Sequence, residues 1–169
     1  EIEALARRDR RRGPLERPSI DVQIATGITM LDDDSPTYRG HRVLDLVESH
    51  GFEAVAEVRI GGVLPDAGAD VDWPIDRPAL ARARRITAAA EPVDPLTRLT
   101  LAALSLGGRP EIGDVARTLL SIAPTVLGGP QRGDIASRLA RAWSTRPSEE
   151  LVSAISRALV ILADHELAS

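Results

Sequence analysis

The spacing of apolar residues after Gly40 is the feature that most constrains the fold of this chain. Aliphatic side chains recur there at intervals of three and four positions, and glycine or proline separates successive runs. Such spacing places the apolar side chains on one face of a helix, and glycine and proline favour helix ends. Only four of the 169 residues are aromatic, so Ala, Leu, Val and Ile have to supply the interior. The sequence therefore predicts a mainly α fold of short, closely packed helices.

Six helical segments can be placed in this region, and the clearest one begins after Asp94. An aspartate is a favoured N-cap, proline is favoured at the first helical position, and Gly107 supplies a stop. Because apolar residues occupy much of its circumference, we predict that this helix is buried. Pro124 is expected to kink a later helix or to end it one residue earlier. Residues 61–78 show no periodicity and are predicted to form a surface loop anchored by Trp73.

The segment before Gly40 has a different period. Ile20, Val22 and Ile24 alternate with polar residues, and a second apolar stretch ends at Leu31 before three consecutive aspartates. Alternation of this kind predicts a short β hairpin within residues 18–40. The aspartates lack the glycine and the distal glutamate of a calcium loop, so we interpret them as an exposed turn and expect no metal site.

Residues 1–17 carry the densest charge in the chain. Arginines between positions 7 and 12 would suit a basic arm that binds nucleic acid, whereas a charged, solvated linker is the simpler interpretation. Glu1, Glu3 and Asp9 offset part of the positive charge. We therefore expect a charged linker here.

Composition excludes several classes of function. The net charge of −4 argues against a nucleic-acid-binding surface over the whole domain, so a nucleic-acid partner is not expected. There is no cysteine, and hence no disulfide, thiolate metal site or cysteine nucleophile. No apolar run reaches the length of a membrane span, and the polar N-terminus does not resemble a signal peptide. We expect a soluble, cytoplasmic protein without a membrane partner.

The last predicted helix ends in three ionisable residues. Ser148 can cap its start, and Leu151, Ile155, Leu159 and Leu162 form its predicted buried face. Asp164, His165 and Glu166 then follow. Ionisable groups at the end of an apolar helix cost stability unless they are solvated or used. Two interpretations stay open at this point: an exposed helix end that favours a protonated histidine, and a functional site.

Residues 157–169 resemble the signature helix end of citrate synthases, in which an Ala-Asp-His-Glu segment follows an aliphatic helix. Three further stretches are similar to that family in the same order along the chain. The first is Tyr38-Arg39-Gly40, followed by Val43-Leu44-Asp45-Leu46 and by residues 52–57, which resemble a Phe-Glu-x-Val-Ala pattern. The others are the Gly-x-Leu-Pro run at 62–65 and residues 91–98, which resemble a Pro-Met-Asp-x-Leu-Arg helix start.

This resemblance implies a fold and a reaction. Residues 41–169 would be the helical part of a multi-helical citrate-synthase-like large domain, with the small domain and the C-terminal helices absent from the chain. The reaction would be condensation of acetyl-CoA, or a related acyl-CoA, with oxaloacetate. The acyl-CoA is a substrate in this reaction, so no permanently bound cofactor is implied. Because family members dimerise through large-domain helices, a homodimer is expected.

The resemblance also implies a role for His165. In the family, as we interpret the motif, this histidine hydrogen-bonds the thioester oxygen while the α-carbon is deprotonated. A carboxylate base, a second histidine and the arginines for substrate carboxylates would lie beyond residue 169. The chain alone is therefore expected to be inactive. His41 and His50 fall in the Tyr-Arg-Gly region, and we assign them no catalytic role.

Two departures from the family pattern leave an alternative open. Leu167 precedes Ala-Ser where the commoner form has asparagine, and no histidine or aromatic cluster surrounds Leu127. The alternative function is a catalytically inactive citrate-synthase-like module for dimerisation or acyl-CoA sensing, downstream of a helix-turn-helix DNA-binding domain.

Overall fold

Three short strands are followed by seven helices in a computed structural model that describes residues 29–32, 35–107 and 111–163. The strands are β1 (Thr29–Asp32), β2 (Ser35–Tyr38) and β3 (His41–Arg42). The helices are α1 (Val43–Ser49), α2 (Phe52–Gly61), α3 (Arg77–Ala90), α4 (Pro95–Leu104), α5 (Ile112–Val126), α6 (Ile135–Trp143) and α7 (Glu149–Ile161). The mainly α prediction with a small β hairpin is confirmed. The predicted linker at 1–17 and the strand predicted at 20–24 lie outside the described residues.

The strands form one antiparallel sheet in the order β1-β2-β3. Asp32 pairs with Ser35 at the adjoining ends of β1 and β2, and residues 33–34 of the predicted aspartate-rich turn lie outside the described residues. Tyr38 pairs with His41 across Arg39 and Gly40, whose φ angles of 47° and 86° are both positive. A two-residue loop with two positive φ angles matches the right-handed twist of paired strands. This turn fixes the direction in which the chain leaves Tyr38.

The helices enclose two main groups of buried side chains. The first group lies between the sheet, α1, α2, the start of α6 and the end of α7, and includes Tyr38, Phe52, Val55 and Val160. The second lies between α3, α4 and α5 and is built mostly from alanine and leucine. Helix α5 contacts α3 and α4 on one side and α2 and α6 on the other, so it connects the two groups.

The prediction that the helix after Asp94 is buried is wrong for this chain. Only Ala102 is buried within α4, whereas the side chains of Leu96 and Leu104 are 73% and 72% exposed. The reason is that α4 packs against α3 and α5 along one narrow side. The predicted cap is confirmed, because the Asp94 carboxylate accepts hydrogen bonds from the backbone N–H groups of Leu96 and Thr97 at 2.9 and 3.1 Å.

One of the two sequence-based expectations for Pro124 is that the helix ends one residue before it, and this expectation is wrong for α5. The helix continues to Val126, and the Pro124 carbonyl accepts the N–H of Gly129 at 2.8 Å in the turn that follows. A proline in the last turn removes a single backbone donor, and only two helical residues follow it. The loss of backbone hydrogen bonding is therefore confined to the end of the helix.

Candidate active site at the end of helix α7

Helix α7 comes just before the Ala-Asp-His-Glu segment in the sequence. Ser148 caps it as predicted, accepting a hydrogen bond from the Leu151 N–H at 3.2 Å. The predicted buried face is only partly correct. Ile155 and Val160 are buried, whereas Leu151 and Leu162 are 36% and 56% exposed. The buried side of α7 carries Val160, and the helices that contact α7 are α1, α2 and α6.

The last turn of α7 is held by Tyr38, which is distant from it in the sequence. The last carbonyl groups of a helix have no intrahelical donor. The Tyr38 hydroxyl lies 2.9 Å from the Ile161 carbonyl oxygen and 3.2 Å from that of Val160, and it donates its hydrogen there. The N–H of Ala163 also reaches the Val160 oxygen at 3.3 Å. A side chain 122 positions away in sequence thus completes the helix end.

Tyr38 is itself firmly placed. Its side chain is 2% exposed and packs with Val43 and Leu46 of α1. The guanidinium of Arg59 lies over its ring at 5.3 Å from the centroid, a favourable cation–π distance. Arg39 approaches the Arg59 carbonyl oxygen through Nη2 at 3.4 Å. The Tyr-Arg-Gly segment therefore contacts both the end of α7 and α2, and connects them to the sheet.

His165, the predicted catalytic residue, lies outside the described residues, as do Asp164 and Glu166. The last described residue is Ala163, two positions before it. The other two histidines lie elsewhere. His41 is exposed in β3. His50 ends α1, and its Nε2 donates to the Pro65 carbonyl oxygen at 3.1 Å, which ties the helix to the Gly-x-Leu-Pro segment.

A polar network that the sequence analysis missed connects α2, α5 and the loop before α3. The carboxylate of Glu57 accepts two hydrogen bonds from Arg117, at 2.7 and 2.8 Å, and one from the Trp73 indole N–H at 2.7 Å. Arg117, together with Trp73, holds the pKa of Glu57 below its ordinary value. The prediction that Trp73 anchors this loop is confirmed. The pairing of Glu57 with Arg117 can be identified only from the structure, because the two residues are 60 positions apart in the sequence.

A cavity of about 460 Å³ lies between the start of α2, residues 69–73 and the start of α6. Glu53 is buried at its wall and accepts the Ile135 N–H at 2.6 Å. Burial raises the pKa of Glu53, against the opposing effects of that hydrogen bond and of the Arg138 charge. No residue of α7 or of the turn at 38–40 lines the cavity. The cavity is therefore separate from the helix end that precedes His165.

The described residues contain no group of three or more histidine, aspartate or glutamate side chains that could hold a metal ion. The helices within the same residues are also too short or too polar to cross a membrane.

Comparison with known families gives a match over most of the chain. The family model described as "Citrate synthase, C-terminal domain" matches residues 22–169. That range contains the sheet, all seven helices and every segment singled out by the resemblance in the sequence. No curated protein matches the chain significantly.

Proposed function

This chain belongs to the citrate synthase family, and we propose that the protein containing it condenses acetyl-CoA, or a closely related acyl-CoA, with oxaloacetate. The observation that carries the proposal is the family match over residues 22–169. The contact between Tyr38 and the end of α7 supports it, because it joins two of the segments on which the resemblance depends. The acyl-CoA is a substrate, and the proposal requires no resident cofactor or metal ion.

We assign substrate contact to His165. An imidazole N–H aimed at an oxygen that gains negative charge stabilises the transition state more than the ground state. The resemblance assigns this donor to the thioester oxygen of the acyl-CoA. A carboxylate oxygen of oxaloacetate is another acceptor that the substrates offer. Kinetic constants separate the two, since the first contact affects kcat and the second affects the KM for oxaloacetate.

A homodimer is part of the same proposal. Large apolar side chains are exposed on several helices, among them Leu96 and Leu104 on α4 and Ile161, which is 50% exposed, on α7. Contiguous exposed apolar surface generally marks an interaction site. A second copy of the chain is the proposed partner for these faces.

The direct test is release of CoA by the full-length protein. We expect thiol release from acetyl-CoA or propionyl-CoA that depends on added oxaloacetate. The 169-residue chain alone serves as the control and is expected to release none, because it carries one of the catalytic groups that act together. Absence of release by the full-length protein with every acyl-CoA tried would refute the proposal.

Leu167, where the commoner motif has asparagine, favours one other candidate. In that case the domain is an inactive dimerisation or acyl-CoA-sensing module, in a protein with a helix-turn-helix DNA-binding domain. The same preparation distinguishes the two functions. A rise in unfolding temperature on addition of acetyl-CoA, without any CoA release, would support the module.

A further inference from the structure

The cavity between the start of α2, residues 69–73 and the start of α6 has the features of a ligand site. We propose that it binds a small organic cation with N–H donors, such as an alkylammonium ion, and that the buried carboxylate of Glu53 accepts a hydrogen bond from this ion. Such a site would be independent of the proposed function, because the described residues of α7 and of the turn at 38–40 do not line the cavity.

The size and the lining of the cavity suit a ligand of this kind. Its volume of about 460 Å³ falls in the range of small-molecule sites, roughly 300 to 1,000 Å³. The residues that line it include Ala54, Val71 and Ile135 as well as several charged ones. Small-molecule sites commonly combine an apolar lining with a few polar groups that orient the ligand. The cavity can therefore accept both the alkyl part and the charged part of an alkylammonium ion.

Negative charge predominates among the described residues that line the cavity. The acidic ones are Glu53, Asp70, Asp72 and Asp134, and Arg138 is the one basic residue among them. The Arg138 guanidinium already donates to two backbone carbonyl oxygens and to a threonine hydroxyl, so it is engaged in the turn before α6. A cation is therefore a better match for the cavity than an anion.

Glu53 differs from the three aspartates because it is buried. It is 9% exposed, whereas the aspartates are exposed. The donors to its carboxylate within the described part of the chain are backbone N–H groups, that of Ile135 at 2.6 Å from Oε1 and that of Glu53 itself. No side chain of these residues donates to Oε2.

A buried carboxylate without an ion-pair partner is costly, and burial accordingly raises the pKa of Glu53. An ammonium group in the cavity would supply a charge-assisted hydrogen bond, which is stronger than one between neutral groups. Binding of a cation would therefore offset a cost that the empty cavity leaves in the fold.

The test uses two isomeric ions of the same charge, n-butylammonium and tetramethylammonium, of which only the first has N–H groups. The full-length protein is labelled with 5-fluorotryptophan and titrated in phosphate buffer, which contains no competing amine. The ¹⁹F signal of Trp73 reports on the cavity that this residue lines, and the signal of Trp143, which does not line it, is the internal control. We expect a saturable shift of the Trp73 signal with n-butylammonium, and binding of tetramethylammonium weaker by about tenfold, the scale for one hydrogen bond to a charged group.

Glu53→Gln removes the charge, keeps an acceptor for the Ile135 N–H, and should weaken n-butylammonium binding about tenfold. Glu111→Gln is the matched control, because Glu111 is exposed before α5, makes no side-chain cap hydrogen bond and does not line the cavity. It should leave the affinity unchanged. Asp70→Asn combined with Asp72→Asn alters only exposed residues and should weaken binding severalfold, so it tests the site without any change to the buried carboxylate.

Four results would overturn the proposal. They are an unchanged Trp73 signal at the highest n-butylammonium concentration at which the protein stays folded, equal shifts of the Trp73 and Trp143 signals, equal binding of the two ions, and an unchanged affinity in Glu53→Gln. None of them bears on CoA release, which tests the proposed function separately.

Discussion

At the scale of single residues, the turn between α5 and α6 shows how a buried arginine is used for folding. Arg138 is 3% exposed, and its guanidinium donates to the carbonyl oxygens of Ser121 and Pro130 and to the Thr125 hydroxyl. The Gly-Gly-Pro run at 128–130 packs against the Arg138 backbone. These contacts make the Gly-Gly-Pro run a closely packed turn between the two helices.

Gly129→Ala is expected to destabilise the protein by about 1–3 kcal/mol, the range for overpacking a close contact. A Cβ at this position would lie 2.8 Å from the Pro124 carbonyl oxygen and still closer to that of Arg138, and both are backbone atoms. Urea unfolding measures the effect. Gly51→Ala is the control, since its φ is −74° and no atom lies within 4 Å of the new methyl group. Equal stability of the two variants would contradict the packing argument.

Glu53 and Glu57, one helical turn apart on α2, should respond to pH in opposite directions. Burial raises the pKa of Glu53, so the folded state binds its proton more tightly than the unfolded state does. The stability contributed by Glu53 is therefore present below the ordinary value of 4.5 and is lost as the pH rises through the raised pKa. Arg117 lowers the pKa of Glu57, so its contribution is present above 4.5 and is lost as the pH falls through the lowered pKa.

Two amide variants test these signs. Glu53→Gln keeps an acceptor for the Ile135 N–H and removes a buried charge, so it should be more stable than wild type at neutral pH and similar to it below the ordinary pKa. Glu57→Gln loses the charge that holds Arg117 and should be less stable at neutral pH. Urea midpoints across the acid range measure both. A loss of stability at neutral pH for Glu53→Gln would contradict the assignment of burial as the dominant effect on its pKa.

At the scale of elements, caps could be predicted from sequence, whereas burial and long-range contacts could not. Asp94 and Ser148 begin their helices as expected, because a cap is a local interaction. Helix α3 was not placed, although Asp76 caps it through the Ala79 N–H at 2.8 Å. Its buried side is Ala79, Leu80, Ala83 and Thr87, and alanine and threonine give a weak periodic signal. The extent of burial of α4 depends on which helices cover it, and spacing does not contain that information.

The exposed faces of α4 and α7 give the prediction at this scale. We expect the full-length protein to be a dimer at micromolar concentration, and substitution of Leu96 and Leu104 by glutamate to weaken association by placing charges on an apolar face. Sedimentation velocity measures this. The control is Val63→Glu, because Val63 is 71% exposed but lies in the loop after α2. A wild-type monomer, or equal loss of association in the control, would contradict the prediction.

At the scale of the whole molecule, α5 joins two clusters of apolar side chains, and the end of α7, which precedes the histidine motif in the sequence, packs on the first of them. The sequence placed the histidine motif after an apolar helix and identified Tyr38-Arg39-Gly40 as a second family segment. It did not indicate that these two segments touch, because the Tyr38–Ile161 contact spans 123 positions and depends on how α1 and α2 pack against α7. The Glu57 network escaped detection for the same reason.

The most direct test of the account is the steady-state kinetics of His165→Gln in the full-length protein. We predict a fall in kcat/KM for oxaloacetate of about 10² to 10³, the scale for losing one oriented donor. A fall carried by kcat, with little change in KM, would assign the donor to the thioester oxygen, as the resemblance implies. A fall carried by KM would assign it to oxaloacetate. Near-normal values of both constants in an active protein would contradict the assignment of substrate contact to His165, and would leave it as a solvated helix end.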